Sequence, residues 1–236
     1  EYRSVKPNVY GPDSYVSGAA SALLSYIGTV KRTGVSPSEI DDFLGSAERL
    51  YALDDLSGRI EEKAKASLRG RSVSSVSEGL PEMRAFLIEQ RGSLGDGGVE
   101  SSVSEFLDRL VCLCDSFERT FEEHESGERE LPNAAHKLPA YIFGGYSGAP
   151  KGIPKMGLEL PDLLESFLDN CKTARDLNAG YAAYESELAD RNLLDFDGLV
   201  AGAVELLETD VGDELSERWD YVFCDEFQDT GRLQFN

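Results

Sequence analysis

Two adjacent carboxylates, Asp225 and Glu226, follow directly on the apolar, β-prone run Trp219 to Cys224. In an open α/β sheet, ligands bind outside the carboxyl ends of the strands, so acids at such a strand end face a site and not a core. Nucleotide hydrolysis needs one carboxylate to hold Mg²⁺, usually through its waters, and a second group to orient or deprotonate the attacking water. Neighbouring Asp and Glu can supply both, because side chains one residue apart near a strand end diverge. A bare Asp-Glu pair is also what a solvated turn after a strand looks like. The longer string Asp225-Glu226-Phe227-Gln228-Asp229-Thr230 is less readily explained that way.

The other half of a nucleotide site is missing from these residues. Cradling phosphates requires a Gly-rich loop ending in Gly-Lys-Ser or Gly-Lys-Thr, and the sequence contains neither. Its nearest imitation, Gly144 to Gly152, has Pro150 where an amide donor is needed and no hydroxyl after Lys151, and reads as a plain loop. Cys112 and Cys114 stand one residue apart on a predicted helix, so they point about 200° apart and chelate poorly; they are expected to be buried thiols. His124 and His136 lack a second ligand at metal spacing and are expected at the surface. Serine is abundant, yet no Gly-x-Ser-x-Gly elbow exists. Lys63, Lys65, Arg69 and Arg71 form the one basic cluster, which could touch a phosphate backbone or simply solvate a helix end.

The elements that must position these groups are mostly helical. Val16, Ala20, Leu23, Leu24, Ile27 and Val30 recur at three and four residues and predict a helix from about Ser14 to Lys31. Ser36-Pro37-Ser38-Glu39 has the form of a capping box, opening a second helix with the stripe Ile40, Phe43, Leu44, Ala47, Leu50, Tyr51 that ends before Gly58. A short basic helix spans Ile60 to Leu68. Arg69 to Leu80 and Arg91 to Ser102 read as loops around a short helix from Pro81 to Gln90. A long amphipathic helix carries Val103, Phe106, Leu107, Leu110, Val111, Cys114, Phe117 and Phe121. The segment 126–161, rich in Pro and Gly, predicts an irregular connection with at most a short extended piece at Tyr141 to Phe143. Helices are expected from Leu163 to about Arg191 and from Phe196 to Glu208. Trp219 to Cys224 then predicts a strand buried on both faces of a parallel sheet. The expected fold class is therefore mainly α, a helical bundle-like domain with long loops and one C-terminal apolar strand, which the family resemblance described next assigns to an incomplete α/β ATPase core.

The string Asp225 to Thr230, with Gln234 four residues on, resembles the Walker B motif of UvrD/Rep-like superfamily 1 helicases. Upstream, Asn192-Leu193-Leu194-Asp195-Phe196-Asp197-Gly198-Leu199 resembles the Asp-Phe-Asp-Asp-Leu helix that precedes this motif in the family, with Gly198 in place of the second Asp. A fainter match covers Ser25 to Glu39, where Lys31 and then Ser36-Pro37-Ser38-Glu39 look like the family's helix, basic residue and Ser-Pro-Glu. The resemblance implies that residues 1–191 form a helical 1B-like subdomain with a large insertion, and that 192–236 return into the 1A ATPase core. It implies ATP and Mg²⁺ as cofactors, with Asp225 as metal ligand, Asp225 and Glu226 as nucleotide-site residues, Glu226 as the catalytic base, and Gln228 as a coupler of nucleotide state to DNA. In the family the phosphate loop lies upstream of such a segment and the second core, with its arginine finger, downstream. The chain is thus expected to be an internal piece of a 3′ to 5′ DNA translocase or helicase of repair or recombination, silent by itself. The competing reading is a non-catalytic helical module that binds DNA or a protein partner.

Charge bounds the partners. Acidic residues outnumber basic ones 44 to 23, for a formal net charge of −21. That disfavours a broad DNA-binding face on these residues, since phosphate contacts need clustered Lys and Arg. The acids are dispersed among Ser, Gly and Ala, as a salt-adapted surface would have them, whereas a partner-selecting face is the alternative. No stretch reaches the ~20 apolar residues of a membrane helix. Glu1-Tyr2-Arg3-Ser4 suggests a start within a longer protein, and four cysteines without framework spacing suggest a reducing, cytoplasmic compartment. A protein partner for the helical insertion is also expected.

Overall fold

The computed structural model describes residues 12–146, 151 and 160–226, with side chains from residue 18 onward. Among these residues the chain is helical without a strand. In order, α1 is Pro12–Lys31, α2 Pro37–Leu44, α3 Ala47–Ala52, α4 Leu56–Ser67, α5 Val73–Ser77, α6 Leu80–Gly92, α7 Gly98–Glu125, α8 Leu138–Ile142, α9 Leu160–Asp190, α10 Phe196–Leu207 and α11 Asp210–Ser216. A 3₁₀ turn, Ala135–Lys137, runs into α8. Two compact units emerge: residues 42–173, and residues 1–41 together with 174–236. This division rests on packing and differs from the subdomain boundary at 191/192 drawn from the family resemblance.

The first unit is built on the α6–α7 hairpin. A connection of five residues leaves two helices little choice but to run antiparallel. The ion pairs follow that order: Arg91 at the end of α6 meets Asp108, and Arg84 about two turns earlier meets Asp115 at 2.6 Å. These pairs are half-exposed and contribute little to stability. What holds the hairpin is the seam beneath them. Leu80, Met83 and Leu87 of α6 and Val103, Leu107, Leu110, Cys114 and Phe121 of α7 are all buried, joined by Leu56, Ile60 and Ala64 of α4. Each of the buried Leu, Val, Ile, Met and Phe side chains contributes on the order of 1.5–3 kcal/mol through removal from water.

Several sequence expectations are corrected here. The second helix does not run through to Tyr51: it breaks at Gly45, and Ser46 restarts it as α3 by accepting the Arg49 N–H at 3.2 Å. The Ser-rich stretch 69–80 contains α5, because Ser72 and Ser75 cap it reciprocally and Val76 is fully buried. Helix α7 starts at Gly98 and takes in the last five residues of the expected loop, since Val99 is already buried. Tyr141 to Phe143 is not extended. Pro139 sits in the first turn of α8, where its missing N–H is harmless, and Tyr141 and Phe143 are drawn into the core.

In the second unit α1, the second half of α9, and α10 with α11 assemble around a short loop. The expected capping box is present: Ser36 N–H and Oγ both donate to Glu39 Oε2, at 2.8 and 2.7 Å, and Glu39 N–H returns to Ser36 Oγ. Buried Asn178 of α9 ties this corner down, donating to the Pro37 carbonyl at 2.8 Å and to Asp41 at 2.9 Å. Helix α9 closes on Asn192, which adopts φ +52 while Leu193 N–H reaches back to the Leu188 carbonyl at 2.9 Å. The run Trp219 to Cys224 forms no strand: it is irregular, with Tyr221, Val222 and Phe223 at least 80% exposed. A parallel strand exists only by pairing with neighbours on a ladder, and no ladder partner lies among the described residues.

Candidate functional site

The acidic segment sits at the end of that irregular run. Asp225 and Glu226 are both exposed, and Asp225 Oδ1 accepts the Glu226 N–H at 2.9 Å. Glu226 adopts φ +52, a left-handed conformation costing a side-chain-bearing residue about 1–2 kcal/mol. The backbone therefore turns at Glu226, directly after Asp225. Hard carboxylate oxygens open to solvent suit a cation such as Mg²⁺ that keeps most of its waters. Among the described residues no group of three His, Cys, Asp or Glu side chains forms a closed metal site. Phe227 to Thr230 and Gln234, Gln228 included, lie outside the described residues, as does most of the loop Gly144 to Gly152.

The structure brings together two other segments singled out in the sequence, 164 positions apart. Lys31, the last residue of α1, is only 6% exposed. Its ammonium donates to Glu185 Oε1 of α9 at 2.6 Å and to Asp195 at about 3.0 Å, and lies 5.6 Å from the ring centre of Tyr184. Asp195 is the N-cap of α10: its Oδ1 accepts the Gly198 N–H at 2.6 Å while Oδ2 accepts the Tyr184 hydroxyl at 2.9 Å. The Lys31 ammonium, Glu185 Oε1, both Asp195 oxygens and the Tyr184 hydroxyl are thus all engaged. Burial pulls the Lys31 pKa down, but the hydrogen bonds and charges of Glu185 and Asp195 outweigh it and hold it above the ordinary lysine value. Burial likewise pushes Asp195 up, and the bonds from Lys31, the Gly198 amide and Tyr184 more than reverse it.

Gly198, the departure from the family string, has a steric reason here. A Cβ at this position would stand 2.8 Å from Asp195 Oδ1 and 3.4 Å from Lys31 Nζ. An aspartate would crowd the capping carboxylate and add a third acid to one cation. Beside the clasp opens a cleft of about 310 Å³ lined in part by Val35, Tyr181, Leu188 and Leu194.

Tyr184 and Glu185 were not singled out from sequence. The signal was available on the other side of the pair: Lys31 continues the stripe Ile27, Val30 at helical spacing, and a lysine on a buried stripe demands an anionic partner. The basic cluster behaves differently. Lys63 pairs with Glu82 at 2.7 Å, Lys65 with Glu61 at 3.0 Å, and Arg69 donates to the Gly145 carbonyl while lying 5.1 Å from the Tyr146 ring. Three of its four cations are thus engaged by the protein itself, which weakens the phosphate-binding reading.

Of the cysteines, Cys114 and Cys171 are buried, but Cys112 and Cys224 are exposed. The expectation for Cys112 is corrected: one residue from Cys114 on a helix, it turns to the opposite face. Burial pushes the Cys114 thiol up to about 12, so it is inert as a nucleophile. His124 and His136 are half-buried, with His124 Nδ1 2.8 Å from the Arg129 carbonyl. No helix of the described residues is long and apolar enough to cross a membrane.

Comparison with known proteins places this geometry. The model of the UvrD/REP helicase N-terminal domain matches residues 114–236, just over half of the chain and inclusive of α9, α10 and the acidic segment. The "Probable DNA helicase II homolog" of Mycoplasma capricolum is 36% identical over 83 residues. That alignment covers 33% of this chain and 11% of the relative, so the chain spans only a small part of the relative's length. No solved structure matches the chain. With a capped Asp-Phe-Asp helix joined to the α1 lysine, an acidic segment downstream, and a family match across both, this chain belongs to the UvrD/REP helicase N-terminal domain family.

Proposed function

We propose that this chain supplies the acidic half of the ATPase site of a superfamily 1 DNA helicase or translocase. The carrying observation is the family match across 114–236, which includes Asp225 and Glu226 directly after an apolar run. In this reading Asp225 holds Mg²⁺, and Glu226 orients and deprotonates the attacking water. The metal, when bound with ATP, neutralises charge on the phosphates. Glu226 needs no closed metal shell for its role. It needs a carboxylate that can reach water, and its exposure supports that.

Residues 1–191 act as a 1B-like subdomain with a large helical insertion, and 192–236 lead into the 1A core. Tyr221, Val222 and Phe223 then become a strand of that core's parallel sheet. Their exposure here supports this, since apolar side chains of that size are ordinarily covered. The phosphate-gripping loop, absent from the 236 residues, belongs to another part of the parent, so this chain alone is catalytically silent. The parent acts on DNA in the cytoplasm, with 3′ to 5′ polarity and a role in repair or recombination. Gln228 links the nucleotide state to DNA, and the helical insertion contacts a protein partner.

A titration of Mg²⁺ against DNA-stimulated ATP hydrolysis by the complete parent tests the two acids separately. Asp225→Asn should raise the Mg²⁺ needed for half-maximal rate, and Glu226→Gln should lower kcat by about 10²-fold or more with Mg²⁺ demand unchanged. Equal Mg²⁺ curves for wild type and Asp225→Asn would remove Asp225 from the metal.

A further inference from the structure

Helix α10 is poorly anchored for an apolar helix. It contains no buried residue, and its large side chains turn outward: Phe196 is 89% exposed, and Leu199, Leu206 and Leu207 are about half-exposed. Burial of apolar area, the usual force holding a helix in place, therefore contributes little on this side. The strongly buried group at its joint with α1 and α9 is instead the Lys31 ammonium, gripped by Glu185 and by the α10 cap Asp195.

The connections at either end suit a body that moves as one piece. Before α10, residues 191–195 form an irregular link starting at Asn192, whose φ of +52 ends α9. After it, the join to α11 is tight: Thr209 caps α11, Gly212 N–H donates to the Thr209 carbonyl at 2.7 Å, and a Cβ on Gly212 would lie 1.8 Å from the Leu207 carbonyl. The backbone is thus irregular before α10 and tightly turned between α10 and α11.

We propose that α10 and α11 form a releasable arm, latched to α1 and α9 by the Lys31–Glu185–Asp195 clasp. One cation faces two carboxylates, so removing it does more than delete an attraction: it leaves Glu185 and Asp195 confronting each other across the joint. The latch is electrostatic and local, whereas the seam of α6 and α7 is apolar and independent of it. Release leaves the arm helical, since the caps at Asp195 and Thr209 are internal to it. This inference does not depend on ATP chemistry.

Hydrogen exchange read by mass spectrometry on the 236-residue chain, at fixed pH and salt, tests it. In Lys31→Met, exchange across residues 196–216 should rise by about tenfold or more, while α6 and α7 stay within about twofold of wild type. Lys31→Arg, which keeps the charge, should restore most of the protection. Asp195→Asn keeps the cap but loses the charge, and should fall between wild type and Lys31→Met. Unchanged exchange over 196–216 in Lys31→Met overturns the proposal. So does an equal rise through α1 and α9, which makes the clasp part of a common core, or an arm already unprotected in the wild type.

Discussion

Gly97 and Gly98 are neighbours in a glycine-rich stretch, yet substitution should affect them in opposite directions. Gly98 opens α7 with φ +57, and a Cβ there would meet the Phe43 carbonyl oxygen at 2.0 Å and its carbon at 2.9 Å. The obstacle is backbone and cannot rotate away. In Gly98→Ala the left-handed conformation costs about 1–2 kcal/mol, and relieving the collision costs about 1–3 kcal/mol more. Gly97 is the N-cap, extended at φ −133, with no side-chain cap and nothing within 4 Å of a new Cβ. Gly97→Ser adds a hydroxyl that can accept an α7 amide, a gain of up to a few tenths of a kcal/mol over glycine. Urea denaturation followed by far-ultraviolet circular dichroism, with midpoints compared at equal slope, measures both. A Gly98→Ala protein within about 0.5 kcal/mol of wild type, or a Gly97→Ser protein destabilised as much as Gly98→Ala, would refute the packing derived for this helix start.

The clasp should have a defined pH window. Asp195 is held below its unfolded value of about 3.9 and Lys31 above about 10.4, so their contribution is full between those values. It is lost as pH falls through the folded Asp195 value and as pH rises through the folded Lys31 value; the difference in thermal midpoint between wild type and Asp195→Asn across pH reads it directly. Glu118 behaves in the opposite sense: burial, then the nearby Asp115, raise its pKa, and its Oε1 is buried without a hydrogen-bond partner. Wild-type stability relative to Glu118→Gln should therefore increase as pH falls through the folded Glu118 value, and a pH-independent difference would contradict this. With a net charge of −21, melting in KCl should keep rising into the molar range if the surface is salt-adapted. A curve flat above about 0.2 M, where screening is well advanced, would assign the acids to a partner face instead.

What could be read in the sequence was what depends on local pattern. The Ser36–Glu39 box closes as its spacing requires, and of the stripe from Val103 to Phe121 the residues Val103, Leu107, Leu110, Cys114 and Phe121 are buried, with Phe106, Val111 and Phe117 half-buried at its edges. What escaped depends on contacts remote in sequence or on neighbours of a different kind. The break at Gly45 interrupts an apolar stripe that continues on both sides of it, so periodicity alone could not locate it. Helix α8 hides among prolines and glycines, and its helical state follows from burial of Tyr141 and Phe143. The run Trp219 to Cys224 has strand composition, but composition cannot provide a ladder. Lys31 and Asp195 each stood in a segment resembling the family, and nothing in either segment announced that they touch. Their partner Glu185 lies on a helix whose visible signal was apolar. Asp225 and Glu226 drew notice through the string Asp225 to Thr230, whose family resemblance needs no tertiary contact, whereas a bare Asp-Glu pair would not have set them apart from a solvated turn.

The role of Glu226 rests on ATP hydrolysis, and one assay reaches it: DNA-dependent phosphate release by this chain alone and by the chain joined to a phosphate-binding half, each as wild type and Glu226→Gln. The expected result is no turnover from the chain alone, turnover in the joined protein, and loss of that turnover by about 10²-fold or more in Glu226→Gln with ATP still bound. Turnover by the chain alone, or a Glu226→Gln protein as fast as wild type, would contradict the assignment of the acidic half-site.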